Sequence, residues 1–401
     1  MKRKYLFLYL RTGGGHFAPA RAIADILERE ASGIAEPVLF DGLHESIPLI
    51  RYLLEEGYRI LQNRFRWYYA FLYFISGFKP VGLMWTSIVS IFVRRSLERQ
   101  ILSQRPQQIA VFHFFLIKPV IGILRRHRLQ IPVHVVVTDP FTAHPVWFFN
   151  KGVRYAVFSD RLRQDCVSRG IDPALIRVFP GIVNERFSEC ISDEKMDHVR
   201  RELGIHNGEK VVLLIGGRDG IPNGIRLIRS FFRTSPDFSV IAVCGRHEGM
   251  RRTLESLRDR FGWKKLILLG FSDEVPTLLH LADIVVTKCG ASICMEVLAA
   301  RKIAVVHRYL WGQEKGNVEF LTENHFGYYE PRTKKLAHRV AVLLKDPDNL
   351  RTAMRTILTA DVPNGAQSLA RYLLTNDRIH PSGEIEENYP YPADRLSLVN
   401  A

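Results

Sequence analysis

Cysteine is scarce in this sequence. Five are scattered through 401 residues (Cys166, Cys190, Cys244, Cys289, Cys294), with no CxxC pair. That argues against a zinc ribbon or a disulfide scaffold, and the odd count points to a reducing compartment. No uninterrupted apolar run reaches the roughly 18 residues expected of a membrane-spanning helix. The start, MKRKYLFLYL, has only six apolar residues in a row before Arg11, so it is expected to be a first strand rather than a targeting segment. Acids are nearly missing from one region: residues 57–138 hold 12 Lys or Arg against a single acid, Glu98. Most of the overall net charge of +15 therefore comes from one stretch, and a local surface for an anionic partner is expected.

The remaining composition is ordinary, with 47% hydrophobic and 24% charged residues, so the chain can bury a sizeable core. Short β-rich runs alternate with helical patterns. Tyr5–Leu10, Val38–Phe40, Ile109–Phe112, Val133–Val137 and Tyr155–Phe158 form one series. Val211–Ile215, Val240–Val243, Leu266–Leu269, Ile284–Val286 and Ala304–Val306 form a second. This alternation predicts an α/β fold of two Rossmann-like units with parallel sheets. The series breaks near Val183, which divides the chain into residues 1–183, 184–375 and a polar tail, 376–401.

Chemistry is expected where predicted strands end. The first strand runs into Thr12-Gly13-Gly14-Gly15-His16, followed by a helix with Pro19 in its first turn. Such a loop admits a ligand at a helix N-terminus, and a histidine placed there suits general-base work. Gly13, Gly15 and Ala18, with Asp41 on the next strand, also fit a loose dinucleotide pattern, and a purely structural turn remains open. Asp139, after Val135–Val137, can orient His16 or act as a base itself, and His113 and His144 can join the same cleft. Residues 58–92 hold eleven aromatics interleaved with Arg and Lys, including Trp67 and Trp85. That composition suits a helix lying in a membrane interface better than a nucleic-acid platform; core helices with a solvated basic face are the alternative.

In the second half, Gly216-Gly217-Arg218, Cys244-Gly245-Arg246 and Gly270-Phe271 end successive strands. Lys288-Cys289-Gly290-Ala291-Ser292 then opens a helix whose exposed N–H groups suit a diphosphate, and Glu296 one turn on can accept ribose hydroxyls. Gln313, Glu314 and Asn317 follow in a loop suited to sugar hydroxyls.

These segments together resemble the monogalactosyldiacylglycerol synthases and the processive diacylglycerol glucosyltransferases, which share their fold with the peptidoglycan N-acetylglucosaminyltransferase that makes lipid II. The matching stretches are TGGGH (12–16), VVTDPFTAHPVWF (136–148), the glycine turn at 216–217, VCG (243–245), GF (270–271), ADIVVTKCG (282–290), Glu296 and GQEKGN (312–317). The resemblance implies the GT-B glycosyltransferase architecture, two Rossmann-like domains facing a cleft. It implies transfer of galactose or glucose from a UDP-sugar to the hydroxyl of 1,2-diacylglycerol with His16 as catalytic group; inversion is expected, with Asp139 as the candidate partner of His16. Gly216, Gly217, Arg218, Gly245, Phe271, Lys288, Gly290, Ala291, Ser292, Glu296, Gln313, Glu314 and Asn317 would hold the nucleotide sugar. Gly14, Gly15, His113, His144, Trp147, Trp67 and Trp85 would serve the acceptor and the membrane. No cofactor and no metal is expected, the UDP-sugar being a substrate. An anionic membrane surface is expected as partner, nucleic acid is not, and the placement is peripheral or monotopic at the cytoplasmic face of a bacterial membrane. Rival readings are a UDP-N-acetylglucosamine transferase acting on a lipid-linked precursor and a non-catalytic membrane-bound UDP-sugar sensor. Cys289-Gly290-Ala291-Ser292, where the family has a Pro-Gly-rich turn, leaves sugar choice open.

Overall fold

The computed structural model describes residues 2–11, 14–46, 48–57, 60–62, 65–217, 219–234, 236–360 and 362–375. Thr12 and Gly13 of the first glycine loop, Arg59 and Arg64 of the basic stretch, Arg218, and the tail 376–401 lie outside the described residues.

Two six-stranded sheets, parallel throughout, carry the fold. The first contains β1 (Arg3–Tyr9), β2 (Ala35–Asp41), β3 (Gln108–Val111), β4 (Val133–Val136), β5 (Arg154–Val157) and β6 (Ile176–Val178), in the order β2-β1-β3-β4-β5-β6. The second contains β7 (Val211–Ile215), β8 (Ser239–Val243), β9 (Leu266–Leu269), β10 (Ile284–Lys288), β11 (Ile303–Arg308) and β12 (Gly327–Tyr329), in the order β12-β11-β10-β7-β8-β9. Ten of these strands coincide with runs read from the sequence; β6 and β12, three residues each, did not stand out.

Helices cover both faces of each sheet, so the strands are apolar without a break. In β1, Leu6 and Leu8 enter one core with Leu116 and Val120, while Tyr5, Phe7 and Tyr9 enter another with Ile23 and Leu27. β7 divides likewise, Leu213 to one face and Val212 and Leu214 to the other. Successive side chains on a strand point to opposite faces, so a doubly covered strand needs both sets apolar.

Strand order then places the chemistry. A parallel sheet opens a crevice at its carboxyl edge where the winding direction reverses. In the first sheet the reversal falls between β1 and β3, which end beside His16 and His113. In the second it falls between β7 and β10, which end at Gly216-Gly217 and at Lys288–Gly290.

One feature departs from the sequence reading. The closing helix Gly365–Thr375 falls within 184–375, yet Ala366, Leu369, Ala370 and Leu373 pack into the first unit's core beside Ile23 and Phe112. Its backbone also accepts a bond from buried Gln108 at Leu373 O (2.8 Å). Its apolar stripe is completed only by returning to the first sheet. The aromatic stretch forms two helices, Arg66–Ser76 and Lys79–Gln104, bent by 100° at the break. Pro80 sits in the first turn of the second, where its missing N–H costs nothing. Among the described residues, no single helix is long and apolar enough to cross a membrane, but this bent pair passes by length and composition.

Candidate active site

At the first reversal point four polar groups are packed almost out of solvent. His16 follows the glycine loop at the N-cap of the helix Phe17–Glu30 and is 9% exposed. Its Nδ1 lies 2.7 Å from Thr138 Oγ1, and its ring also bonds to the Phe112 backbone. Burial pushes its pKa down to about 4, so the ring is neutral at physiological pH. His113 packs against it at a tilt, with centroids 4.4 Å apart, and burial together with the His16 ring holds it well below the usual histidine range. His113 Nδ1 accepts from Phe115 N, capping the helix Phe114–Arg126.

Asp139 is not the partner of His16 that sequence reading expected. Its carboxylate accepts from Trp147 Nε1 (3.0 Å) and from Gln313 Nε2 (3.4 Å), while Thr138, one residue earlier, takes His16. Thr138 and Asp139 follow β4 in the loop beyond Val136 and address different neighbours. Burial lifts the Asp139 pKa to about 6, against the two hydrogen bonds, which lower it.

Two residues assigned to the acceptor or membrane surface lie elsewhere. Trp147 is completely buried and spends its indole N–H on Asp139. His144 accepts from Val146 N through Nδ1 and donates from Nε2 to the Tyr73 carbonyl (2.9 Å), fixing the neutral tautomer; burial pushes its pKa down to about 4. It docks the aromatic helix rather than facing a substrate. Trp67 and Trp85 are exposed, at 75% and 41%. Asp41, which a dinucleotide reading needs, is buried, caps Leu43 N and lies 3.7 Å from Arg11 and 3.8 Å from Arg51.

The second reversal point is looser. Gly216 and Gly217 follow β7, Gly245 follows β8, and Phe271 follows β9, 57% exposed, with the Arg246 guanidinium 5.2 Å above its ring. Gly290 is the N-cap of the helix Ala291–Ala299, and its first turn holds Ala291 and Ser292. Ser292 Oγ is buried with no hydrogen-bond partner among the described residues. Glu296, one turn on, is half-buried with no side-chain partner among the described residues, and burial lifts its pKa to about 7. Lys288 Nζ lies 4.0 Å from Glu314 Oε1, whose other oxygen accepts from Leu310 N. Lys288 and Glu314 line a cleft of about 1740 Å³ with Arg308, Asp219 and His247; Glu296, Phe271 and Gly245 lie outside that lining. Asn317 is 2% exposed and gives its amide N–H to Cys289 O (2.9 Å), tying the sugar loop to the end of β10, while its Oδ1 is buried with no hydrogen-bond partner among the described residues.

The two points meet. Gly14 has open space where a side chain would stand, while at Gly15 that position is 3.9 Å from Ser292 Oγ. Gln313 of the second unit reaches Asp139 of the first. Phe141 stacks on Phe320 with centroids 4.0 Å apart, and Arg161 pairs with Glu319. Gly316 explains itself here: a Cβ would stand 2.1 Å from Thr142 Oγ1 and 2.9 Å from Phe141, so only glycine permits the approach. Among the described residues no group of three or more His, Cys, Asp or Glu is arranged to hold a metal.

Comparison with known proteins agrees with this layout. Residues 16–183 match the family profile described as monogalactosyldiacylglycerol (MGDG) synthase, and residues 211–368 match the glycosyltransferase family 28 C-terminal domain. A probable monogalactosyldiacylglycerol synthase 2 of rice, Oryza sativa subsp. japonica, is 27% identical over 355 residues, covering 84% of this chain and 73% of the rice protein. A processive diacylglycerol beta-glucosyltransferase of Bacillus cereus is 23% identical over 384 residues, covering 94% and 95%. Among solved structures, a glycosyltransferase from Rickettsia africae superposes with a TM-score of 0.58 at 15% identity, covering 94% of this chain and 98% of that one. Acinetobacter baumannii MurG superposes at 0.56 and 15%, covering 94% and 100%. The chain is a GT-B-fold glycosyltransferase related to the monogalactosyldiacylglycerol synthases and the processive diacylglycerol glucosyltransferases.

Proposed function

We propose that this protein transfers a hexose, galactose or glucose, from a UDP-sugar to the hydroxyl of 1,2-diacylglycerol, with inversion. It works at the cytoplasmic face of a bacterial membrane, on an anionic surface. The observation that carries the reading is the junction of Gln313 and Asp139, which brings a loop suited to sugar hydroxyls against the acid-and-histidine cluster of the other unit. Relatives named for these two diacylglycerol reactions support it. The aromatic helices supply the lipid side. Trp67, Phe71, Phe74, Phe78, Trp85, Ile88 and Ile91 are all between 40% and 75% exposed. Each such residue gains roughly 1.5–3 kcal/mol on full burial, so leaving seven in water along these two helices argues for a second apolar phase.

In this reading the diphosphate meets the helix start at Gly290, Ala291 and Ser292, where N–H groups and the helix dipole favour negative charge. Glu296 accepts the ribose hydroxyls, Phe271 packs by the uracil, and Lys288 balances charge. Gln313 and Glu314 hold the hexose. His16 takes the proton of the acceptor hydroxyl while its oxygen attacks the anomeric carbon and UDP leaves toward Ser292. The arriving diphosphate, beside Gly15, raises the basicity of the His16 ring from its low resting value.

The test uses vesicles of diacylglycerol and phosphatidylglycerol, with labelled UDP-galactose and UDP-glucose in parallel. Label in the lipid extract from one donor is the expected result. No label from either, with UDP still bound, overturns the acceptor assignment.

A further inference from the structure

The helix Arg66–Ser76 has two aromatic faces. Trp67, Phe71 and Phe74 point outward and are more than half exposed. Tyr69, Tyr73 and Ser76, at the same helical spacing, point inward. The inward face touches both halves of the active site. Buried Tyr69 donates its O–H to Gln313 Oε1 at 2.7 Å, and Gln313 Nε2 donates to Asp139 Oδ1 at 3.4 Å. The Tyr73 ring stands 2.9 Å from where a Cβ on Gly312 would be, and Gly312 has φ +81°. The Tyr73 carbonyl and Ser76 Oγ both meet His144 Nε2, at 2.9 and 3.1 Å.

One eleven-residue helix thus holds the donor loop of the second unit and the acceptor loop of the first, while its other side is apolar and uncovered. Two partners 244 residues apart in sequence meet through a single hydroxyl. We propose that Tyr69 is a positioning residue that couples seating of the outer aromatic face on a lipid surface to alignment of Gln313 with Asp139, making hexose transfer conditional on that surface. The proposal rests on the diacylglycerol reading above. A rigid helix cannot rotate its outer face without moving Tyr69, and small displacements of a positioning group cost rate steeply.

Tyr69→Phe removes one oxygen and keeps the ring, so folding and vesicle binding should stand. On diacylglycerol vesicles, kcat should fall about tenfold with UDP affinity unchanged, because the change touches the alignment of Gln313 and not the nucleotide contacts. Combined with Gln313→Ala, it should cost no more than Gln313→Ala alone, as expected for two groups in one network. Independently of turnover, amide exchange across 310–317 should slow when phosphatidylcholine–phosphatidylglycerol vesicles are added to the native chain, and not in Tyr69→Phe. Loss of UDP affinity with kcat retained, additive costs, no vesicle response in the native chain, or a response that survives Tyr69→Phe would each overturn the proposal. If the loop responds but no glycolipid forms, the acceptor reading fails and the coupling stands. If glycolipid forms and Tyr69→Phe matches the native chain throughout, the coupling fails alone.

Discussion

The two reversal points of this fold differ in how far their polar groups are satisfied. At the first, His16, His113, His144 and Asp139 are nearly sealed, and each has a defined partner within the protein. At the second, Glu296 and Ser292 Oγ have no hydrogen-bond partner among the described residues, and Phe271 stands exposed. A sealed, fully bonded cluster fixes geometry before any ligand arrives. Polar groups left without partners are costly unless a ligand supplies them. The first point therefore carries the positioning of the reaction and the second carries the binding of the donor.

The comparison breaks most clearly at the histidine. His16→Ala should lower turnover about 10²–10⁴-fold, the usual range for a general base, with UDP affinity retained. The pH profile assigns the base between the two sealed candidates. A base works only when unprotonated, so kcat/KM falls as pH drops through the free-enzyme pKa. With His16 as base the profile stays flat until pH approaches about 4, and Asp139→Asn leaves that limb in place. A limb near pH 6 that disappears in Asp139→Asn would transfer the role to Asp139.

At the second point the expected loss is in binding. Hydrogen bonds to a charged acceptor contribute about 1.5–3 kcal/mol, so Glu296→Ala should weaken UDP roughly 10–100-fold in a titration. Unchanged affinity would remove Glu296 from the ribose and undo the contrast between the points. The apolar outer shelf should leave the nucleotide contacts alone. Replacing Trp67 and Phe74 together by Ser should lower partition to phosphatidylglycerol vesicles by about tenfold or more, from lost apolar burial, while leaving UDP affinity as it was. Equal vesicle binding would mean that this face is covered by something other than lipid.

Much of this was legible in the sequence because strand ends are legible. Unbroken apolar runs followed by glycines mark both reversal points, and the order of the runs implies parallel sheets. Side-chain partners were not legible. Trp147 in a loop reads as a surface anchor, and only the carboxylate of Asp139 below it explains its burial. Asn317 reads as a sugar ligand, but the bond its amide N–H gives to Cys289 O is invisible in the sequence. His144 reads as a cleft residue until the Tyr73 carbonyl fixes its tautomer. Tyr69 was hidden in an aromatic run whose composition signals lipid. Its inward side is decided by Gln313, far along the chain. The closing helix escaped for a similar reason: its stripe is amphipathic in sequence, but only the first sheet's core shows where it lands.

The smallest expected effect tests whether the second point pays in stability for awaiting a ligand. Burial lifts the Glu296 pKa to about 7, above the ordinary 4.5 that the unfolded chain would show. A group with a raised folded-state pKa contributes its stability below the unfolded pKa, and that contribution is lost as pH rises through the folded value. At pH 8 the native protein therefore buries an ionised carboxylate, and Glu296→Gln should raise Tm by about 2 °C, the scale of a ~1 kcal/mol change in a domain of this size. At pH 5 the native carboxyl is largely protonated and the gain should shrink. Saturating UDP should reverse the order at pH 8, because the native carboxylate then gains ribose hydroxyls and the amide gains less. Scanning calorimetry at the two pH values, with and without UDP, reads all four states. A gain equal at pH 8 and pH 5 would show that charge burial is not its cause, and a gain that survives UDP would show that the nucleotide does not reach Glu296.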